Sequence, residues 1–326
     1  MNAKITATGA YLPEKILTNF DLEKMVDTSD EWIKQRTGIE IRHIADQNQA
    51  TSDLAAEAAL DILSHSHLSP SDVELIIIAT VTQDHPLPAT ALFVQEKIGA
   101  YNAFAFDINA ACSGFIYALS TANAYIKSGF IKNAIVIGAE TLSKIVDWQD
   151  RSTCVIFGDG AAGVLLEAVD DDSVGVLDMV LHSDGRYTDL MIVPAPGSRY
   201  PCSEEVIKNR DIYIKMKGNE TFKMAIRSIA GVSQEVLDRV GLNFGDVDWM
   251  VSHQANRRII EGVAKRVGLD MDKVIITIDR HANTAAASIP LALDWAYKSG
   301  KIKEGDIVLL NSFGASLTWS AGVIRW

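Results

Sequence analysis

Cysteine is scarce: Cys112, Cys154 and Cys202 are the only three in 326 residues, too few and odd in number for a disulfide framework. Proline is scarce too, at 8 residues, and with 48% hydrophobic and 22% charged residues the composition is that of a soluble globular protein. No stretch approaches the roughly 18 uninterrupted apolar residues that a membrane span requires. The N-terminus, Met1-Asn2-Ala3-Lys4-Ile5, lacks the apolar block of a signal peptide, which predicts a cytoplasmic protein. Positive charge is in deficit: the net charge of −12 disfavours general nucleic-acid binding. His65 and His67 lie in a polar connection without a Cys or carboxylate partner nearby, so no metal site is expected there. What remains is room for two ordinary domains or one large duplicated unit.

The duplicated unit is written in the chain. Lys127-Ser128-Gly129-Phe130-Ile131-Lys132 recurs as Lys298-Ser299-Gly300-Lys301-Ile302-Lys303, an offset of 171 residues (127 to 298). A helix-length stretch precedes each copy, Ser113–Ser128 and Thr284–Ser299, and a β-branched run follows each. Upstream, Leu68–Ile78 resembles Leu242–Ser252 at an offset of 174 (68 to 242), each a helix exit, a turn and a continuous apolar run suited to a buried parallel strand. Ala-rich amphipathic helices, Ser52–Ser64 and Gly218–Val240, precede them. Alternating strands and helices predict an α/β protein with parallel sheets covered on both faces. Asp170-Asp171-Asp172 marks the seam, which places the halves at residues 1–170 and 171–326. Gly158-Asp-Gly160-Ala-Ala-Gly163 fits the G-x-G-x-x-G dinucleotide pattern, but the following Val164-Leu165-Leu166 reads as a strand rather than a helix, so a tight turn is expected and no nicotinamide site.

Three residues stand out for chemistry. Cys112 follows the run Ala103–Ile108 and opens a helix, where α/β proteins bind ligands. Its neighbours Ala110, Ala111, Ser113 and Gly114 are small enough for a sharp turn. A helix N-terminus favours the thiolate, so a thiol pKa below about 8.5 is expected. The offset of 171 carries Cys112 onto Asn283, predicting a thiol and a carboxamide at matching helix starts. His253 ends the strand Val247–Ser252 in a similar setting. A Cys, a His and an Asn at carboxyl ends of strands make a workable triad, the imidazole donating or accepting and the amide acting as a fixed donor. Cys154 and Cys202 read as inert.

Ala111-Cys112-Ser113-Gly114-Phe115, His253-Gln254-Ala255-Asn256 and Arg280-His281-Ala282-Asn283-Thr284 resemble the three active-site motifs of the β-ketoacyl-acyl-carrier-protein synthase III family, as does Asp30–Ile39 followed by Arg42. The resemblance runs from Gly9 to Trp319. It implies the thiolase fold, two duplicated βαβ halves in a five-layered α-β-α-β-α arrangement, and usually a homodimer. It further implies that Cys112 takes an acyl group from acyl-CoA, and that His253 and Asn283 stabilise the enolate left when malonyl-acyl-carrier protein loses carbon dioxide. Apart from the substrates, no cofactor is implied. The backbone at Cys112, Gly314 and Ala315, in the turn Phe313–Ser316, would form a second oxyanion hole.

The resemblance also implies a CoA site. Trp32 and Arg151 would sandwich the adenine, Arg36 and Thr37 would meet the nucleotide and phosphate end, Asn256 the pantetheine arm, and Met216 and Phe222 its tunnel. Lys223, Arg258, Lys265 and Arg266 match a patch that receives the acidic carrier protein. Leu87 and Phe313 match the acyl pocket. Two departures bear on the primer: Ala315 replaces part of a Gly-rich run, and Leu87 stands where a Phe often reaches across the dimer. A specialised-metabolite relative with another primer or acceptor, or a Cys-His-Asn thioester hydrolase, would carry the same triad.

Overall fold

The computed structural model describes residues 1–315 and 317–326, with Asn219 described by its backbone alone. The first half contains β1 (Asn2–Tyr11), β2 (Lys15–Thr18), α1 (Asn19–Leu22), α2 (Asp30–Thr37), β3 (Ile41–Ile44), α3 (Thr51–Ser64), β4 (Leu75–Ala79), α4 (Thr90–Ile98), β5 (Phe104–Ile108), α5 (Gly114–Lys127), β6 (Asn133–Thr141), α6 (Arg151–Cys154) and β7 (Asp159–Val169). The second contains β8 (Gly175–Ser183), β9 (Met191–Ile192), α7 (Glu204–Lys208), β10 (Lys215–Met216), α8 (Gly218–Arg239), β11 (Trp249–Ser252), α9 (Arg257–Val267), α10 (Ile278–His281), α11 (Ser288–Lys298), β12 (Ile307–Gly314) and β13 (Thr318–Arg325).

Two sheets carry the molecule, ordered β1-β7-β6-β4-β5 and β8-β13-β12-β11. The fifth position of the second sheet is taken by an irregular segment, where Val274 bridges Met250. The expectation of parallel sheets is corrected: β4–β5, β4–β6 and β11–β12 are parallel, whereas β1–β7, β6–β7, β12–β13 and β13–β8 are antiparallel. β13 follows β12 after a short hairpin-like connection, and β7 runs back along β6 after the longer 142–158 segment that carries α6, so both pair antiparallel; a crossover through a helix layer gives the parallel neighbours. The Gly158–Gly163 motif lies at and within the start of β7 rather than in a tight turn.

Period-two alternation sorts side chains into layers. Leu75, Ile77 and Ala79 face a central core shared with Phe115, Leu119 and Ile126 of α5 and Ile289, Leu293 and Ala296 of α11. Ile76 and Ile78 face outward onto α3 and α4. Met250, Leu309, Ala321 and Val323 of the second sheet face α8 and α9. The order is therefore helices, sheet, α5 and α11, sheet, helices. Because both of its faces are covered, α5 is apolar around most of its circumference.

The internal repeat has a physical role and a corrected register. Gly129 and Gly300, at φ 74° and 72°, terminate α5 and α11 in the left-handed conformation. Counted from their starts, however, the matching turns Ala111–Ser113 and Ala285–Ala287 are 174 residues apart (111 to 285), because α11 has 11 residues and α5 has 14. Ala111 and Ala285 share a positive φ, 47° and 42°. The counterpart of Cys112 is thus Ala286, and Asn283 sits just ahead of the matching turn. Gly138 of β6 lets that turn approach: a Cβ there would overlap the Ala286 carbonyl.

Candidate active site

Cys112 occupies a single 3-10 turn between β5 and α5, raised by the left-handed Ala111. Such a conformation in a non-glycine residue costs on the order of 1–3 kcal/mol and persists where surroundings enforce it. Here Thr318 Oγ1 donates to the Ala110 carbonyl at 2.9 Å, and Ser113 Oγ donates to the Thr318 carbonyl at 3.3 Å. Gly314 leaves space for this, since a Cβ there would lie 2.9 Å from the Ala110 oxygen. The backbone N–H groups of Ala315 and of Cys112 are directed at the sulfur. Ser316, the fourth residue of that expected turn, lies outside the described residues.

His253 directly follows β11, its N–H donating to the Asn311 carbonyl at 2.8 Å. The ring is buried, with Nδ1 2.6 Å from Ser288 Oγ. Asn283 is anchored across the two halves: its N–H donates to Ile156 O, and Gly158 N–H donates to its carbonyl, each at 3.1 Å. Its Oδ1 accepts the Ala285 N–H at 2.9 Å, which turns the amide NH2 the other way. Gln254, fully buried, brackets the pair. Its Nε2 donates to Ser252 O and Ile275 O, and its Oε1 accepts the N–H groups of Thr277 and Ile278.

Cys112, His253 and Asn283 line one cavity of about 200 Å³, together with Met216, Phe222, Asn256, Phe313 and Ala315. A second, largely apolar cavity of about 350 Å³ opens on the other side of Cys112, lined by Val81, Leu142, Ile145, Phe157, Ile192, Val193 and Ile214 among others. One acyl-pocket expectation changes, that for Phe313; the expectation for Leu87 concerns a pocket across the dimer, to which its exposure in this chain does not speak. Phe313 lines the chamber with His253, and Leu87, 85% exposed, lines neither cavity in this chain.

Family models for 3-oxoacyl-[acyl-carrier-protein (ACP)] synthase III and for its C-terminal part match residues 106–185 and 237–326. The β-ketoacyl-[acyl-carrier-protein] synthase III of Caldanaerobacter subterraneus subsp. tengcongensis is 52% identical over 324 residues, covering 99% of this chain and 98% of the relative. The chain belongs to the β-ketoacyl-acyl-carrier-protein synthase III family. Its Neisseria gonorrhoeae relative of the same name is 50% identical over 325 residues, 99% of each chain. The crystal structure of the 3-oxoacyl-[acyl-carrier-protein] synthase III of Aquifex aeolicus VF5 matches with a TM-score of 0.92 at 45% identity, over 99% of this chain and 100% of that one. The fold is that of thiolases and the family is one of condensing acyltransferases.

At the family's expected CoA entrance, the Arg151 guanidinium lies 5.2 Å from the Trp32 ring centre and Arg36 lies 5.8 Å away. Thr37 does not fit its expected role. It is buried, its hydroxyl donates to Ile33 O at 2.7 Å and accepts the Ile39 N–H at 3.0 Å, so the group closes the end of α2. Asn256 lines the cavity but also caps α9, accepting the Arg258 N–H and donating to Arg36 O, each at 2.9 Å. Lys223 on α8 and Arg258, Lys265 and Arg266 on the neighbouring α9 are exposed, and none makes an ion pair among the described residues. Arg258 lies over Phe222 at 5.5 Å.

The electrostatics reverse one expectation. Burial pushes the Cys112 thiol up to about 12, and the carboxyl of Glu140 adds to the rise, against the lowering pull of the Ala315 and Cys112 N–H groups. A helix N-terminus contributes only about 0.3–1 kcal/mol at ordinary sites, too little to offset that burial. Cys112 therefore rests as a thiol. Burial also lowers His253 to about 3, which keeps its imidazole neutral. Burial raises Glu140 to about 8, although Thr82, Thr80 and the N–H groups of Val81 and Ala286 all donate to it. Glu140, Gln254 and Ser288 carry no weight in the sequence reading. A carboxylate closing the apolar run of β6 was the one available signal.

Proposed function

We propose that this chain condenses an acyl-CoA primer with malonyl-acyl-carrier protein to give 3-oxoacyl-acyl-carrier protein, the opening step of type II fatty acid synthesis. The observation that carries this reading is the convergence of the Cys112 sulfur, the His253 imidazole and the Asn283 amide on one cavity beside the Ala315 N–H. The thiol of Cys112 attacks the thioester carbonyl, the acyl–sulfur bond to CoA breaks, and the proton leaves on the CoA thiol. During this step the Ala315 and Cys112 N–H groups take the oxyanion. Trp32, Arg36 and Arg151 hold the nucleotide end, and Met216, Phe222 and Asn256 line the arm. The apolar chamber beyond Cys112 takes the acyl tail.

Malonyl-carrier protein then enters the vacated cavity, guided by Lys223, Arg258, Lys265 and Arg266. Its carboxylate departs as carbon dioxide, and the electrons left behind form an enolate whose oxygen accepts hydrogen bonds from His253 and Asn283. The enolate carbon attacks the acyl-Cys112 carbonyl, the Cys112 sulfur leaves, and a solvent proton restores the thiol. An amide at position 283 never titrates, so it cannot act as a base. Generating the carbanion by decarboxylation suits it. The proposed steps balance with the two substrates and water alone. Phe104 (38% exposed) lies on β5, an edge strand of its sheet, with Phe130 (69%) 5.9 Å away between ring centres and Tyr101 (73%) exposed just ahead of the strand. An exposed aromatic edge of this kind supports a homodimer.

The test is sequential. Labelled acetyl-CoA should modify Cys112 and spare Cys154 and Cys202. Adding malonyl-carrier protein should then release carbon dioxide and a product two carbons longer. Release of free acid instead would convert the reading to a thioester hydrolase.

A further inference from the structure

His253 has one ring nitrogen facing the protein and the other edge facing the cavity. Nδ1 lies 2.6 Å from Ser288 Oγ, and the backbone N–H of Gln254 donates to that same oxygen at 3.2 Å. Ser288 and His253 are only 1% and 3% exposed, so bulk water takes no part in this exchange. A neutral imidazole carries one hydrogen for its two nitrogens, and the partner of one nitrogen decides the state of the other. If Nδ1 held the hydrogen, it would donate to Ser288, and the serine hydroxyl would need a second acceptor. Among the described residues Ser288 Oγ has no hydrogen-bond partner besides Nδ1 and the Gln254 N–H. The latter is itself a donor. The hydroxyl hydrogen therefore goes to Nδ1, and the ring hydrogen sits on Nε2.

The repeat argues that the serine is not a by-product of helix initiation. α5 begins with Gly114 at the position where α11 begins with Ser288, an offset of 174 (114 to 288). The first half needs no such hydroxyl, because it has no histidine to set.

We propose that Ser288 is a positioning residue that locks His253 as its Nε2–H tautomer, so that the imidazole donates to the enolate oxygen and cannot accept the Cys112 proton. The kinetic part rests on the condensation reading; the tautomer itself does not. Locking the donor state explains how one buried ring can serve the second half-reaction and stay out of the first. A ring free to exchange tautomers would present a bare Nε2 to the enolate oxygen, a repulsive contact, for part of the time.

The experiment uses the full-length enzyme labelled with ¹⁵N-histidine, with His253→Ala assigning the signal. The wild type should show a protonated Nε2 and a bare Nδ1. Ser288→Ala should alter that pattern and lower kcat for condensation roughly 10- to 100-fold, by analogy with the loss when the partner that orients a metal-bound histidine is removed. KM for malonyl-carrier protein and the rate of Cys112 acylation by acetyl-CoA should stay close to wild type. Ser288→Thr keeps the hydroxyl and should restore most of the loss. A protonated Nδ1 in the wild type overturns the assignment, as does Ser288→Ala with wild-type condensation. Equal loss of both half-reactions in Ser288→Ala, unrescued by threonine, also overturns it and makes the serine a packing residue. Should the wild type acylate but yield no 3-oxo product while Nε2 is protonated, the tautomer stands and the condensation reading falls.

Discussion

A thiol held up to about 12 and an imidazole held down to about 3 cannot exchange a proton usefully at neutral pH. This pair therefore does not work as the thiolate–imidazolium couple of a cysteine protease. On the condensation reading, acylation proceeds from the thiol with proton transfer to the departing CoA, which leaves His253 for the enolate. His253→Ala and Asn283→Ala should each retain acetyl labelling of Cys112 while condensation drops about 10²–10³-fold, the usual cost of one oxyanion donor; single-turnover acylation and carbon dioxide release separate the two steps. Glu140 offers a second check. Its charge opposes ionisation of Cys112, so Glu140→Gln should move the pH profile of Cys112 alkylation to lower pH. A profile that stays put would show that burial alone sets the thiol. Cys112, His253 and Asn283 could be read from the sequence because each has the residue type its chemistry requires at the end of a strand. Ser288 could not: it lies 35 residues from His253, and only the packing of α11 under β11 joins them.

Elements were legible where their signals were local. The repeated Lys-Ser-Gly stops a helix by the same glycine conformation in both halves, so the duplication could be seen in the chain. The register could not, because a shorter α11 shifts the match between helix ends without altering the match between helix starts. Strand direction was likewise hidden, since an apolar run reads the same in either orientation. At the seam the two halves meet through Gly138 and the turn Ala285–Ala287, and that turn presents the Ala285 N–H that orients Asn283. Gly138→Ala should therefore do two things together. Overpacking should cost about 1–3 kcal/mol in denaturant unfolding, and condensation should fall more than acylation because Asn283 is displaced. A variant of wild-type stability would show that the seam has slack that this close approach does not suggest.

For the whole molecule, the buried groups set opposing pH dependences. Glu140 is raised from 4.5 to about 8, so its contribution is present below pH 4.5 and is lost as pH rises to about 8. His253 is lowered from 6.5 to about 3, so the folded state loses stability as pH falls from 6.5 toward 3. Thermal unfolding of Glu140→Gln should thus gain on the wild type progressively between pH 4.5 and 8 and hold a constant lead above that. Surface charge acts on a different function. The chain carries −12 overall, yet Lys223, Arg258, Lys265 and Arg266, exposed on α8 and α9 near the cavity lined by Phe222 and Asn256, have no ion-pair partners among the described residues. An acidic carrier would be repelled by most of this surface and steered to that one face, an effect that salt screens over about 10 Å at 0.1 M. Arg258→Glu with Lys265→Glu should lower kcat/KM for malonyl-carrier protein at least about tenfold at low salt and narrow toward the wild type as salt rises. Priming by acyl-CoA should fall much less, because Trp32, Arg36 and Arg151 lie on other elements and Arg258 touches that site only where it rests on Phe222. If priming and condensation decline in parallel, at a rate indifferent to salt, the double variant has disturbed α9 itself and the face is not a docking surface.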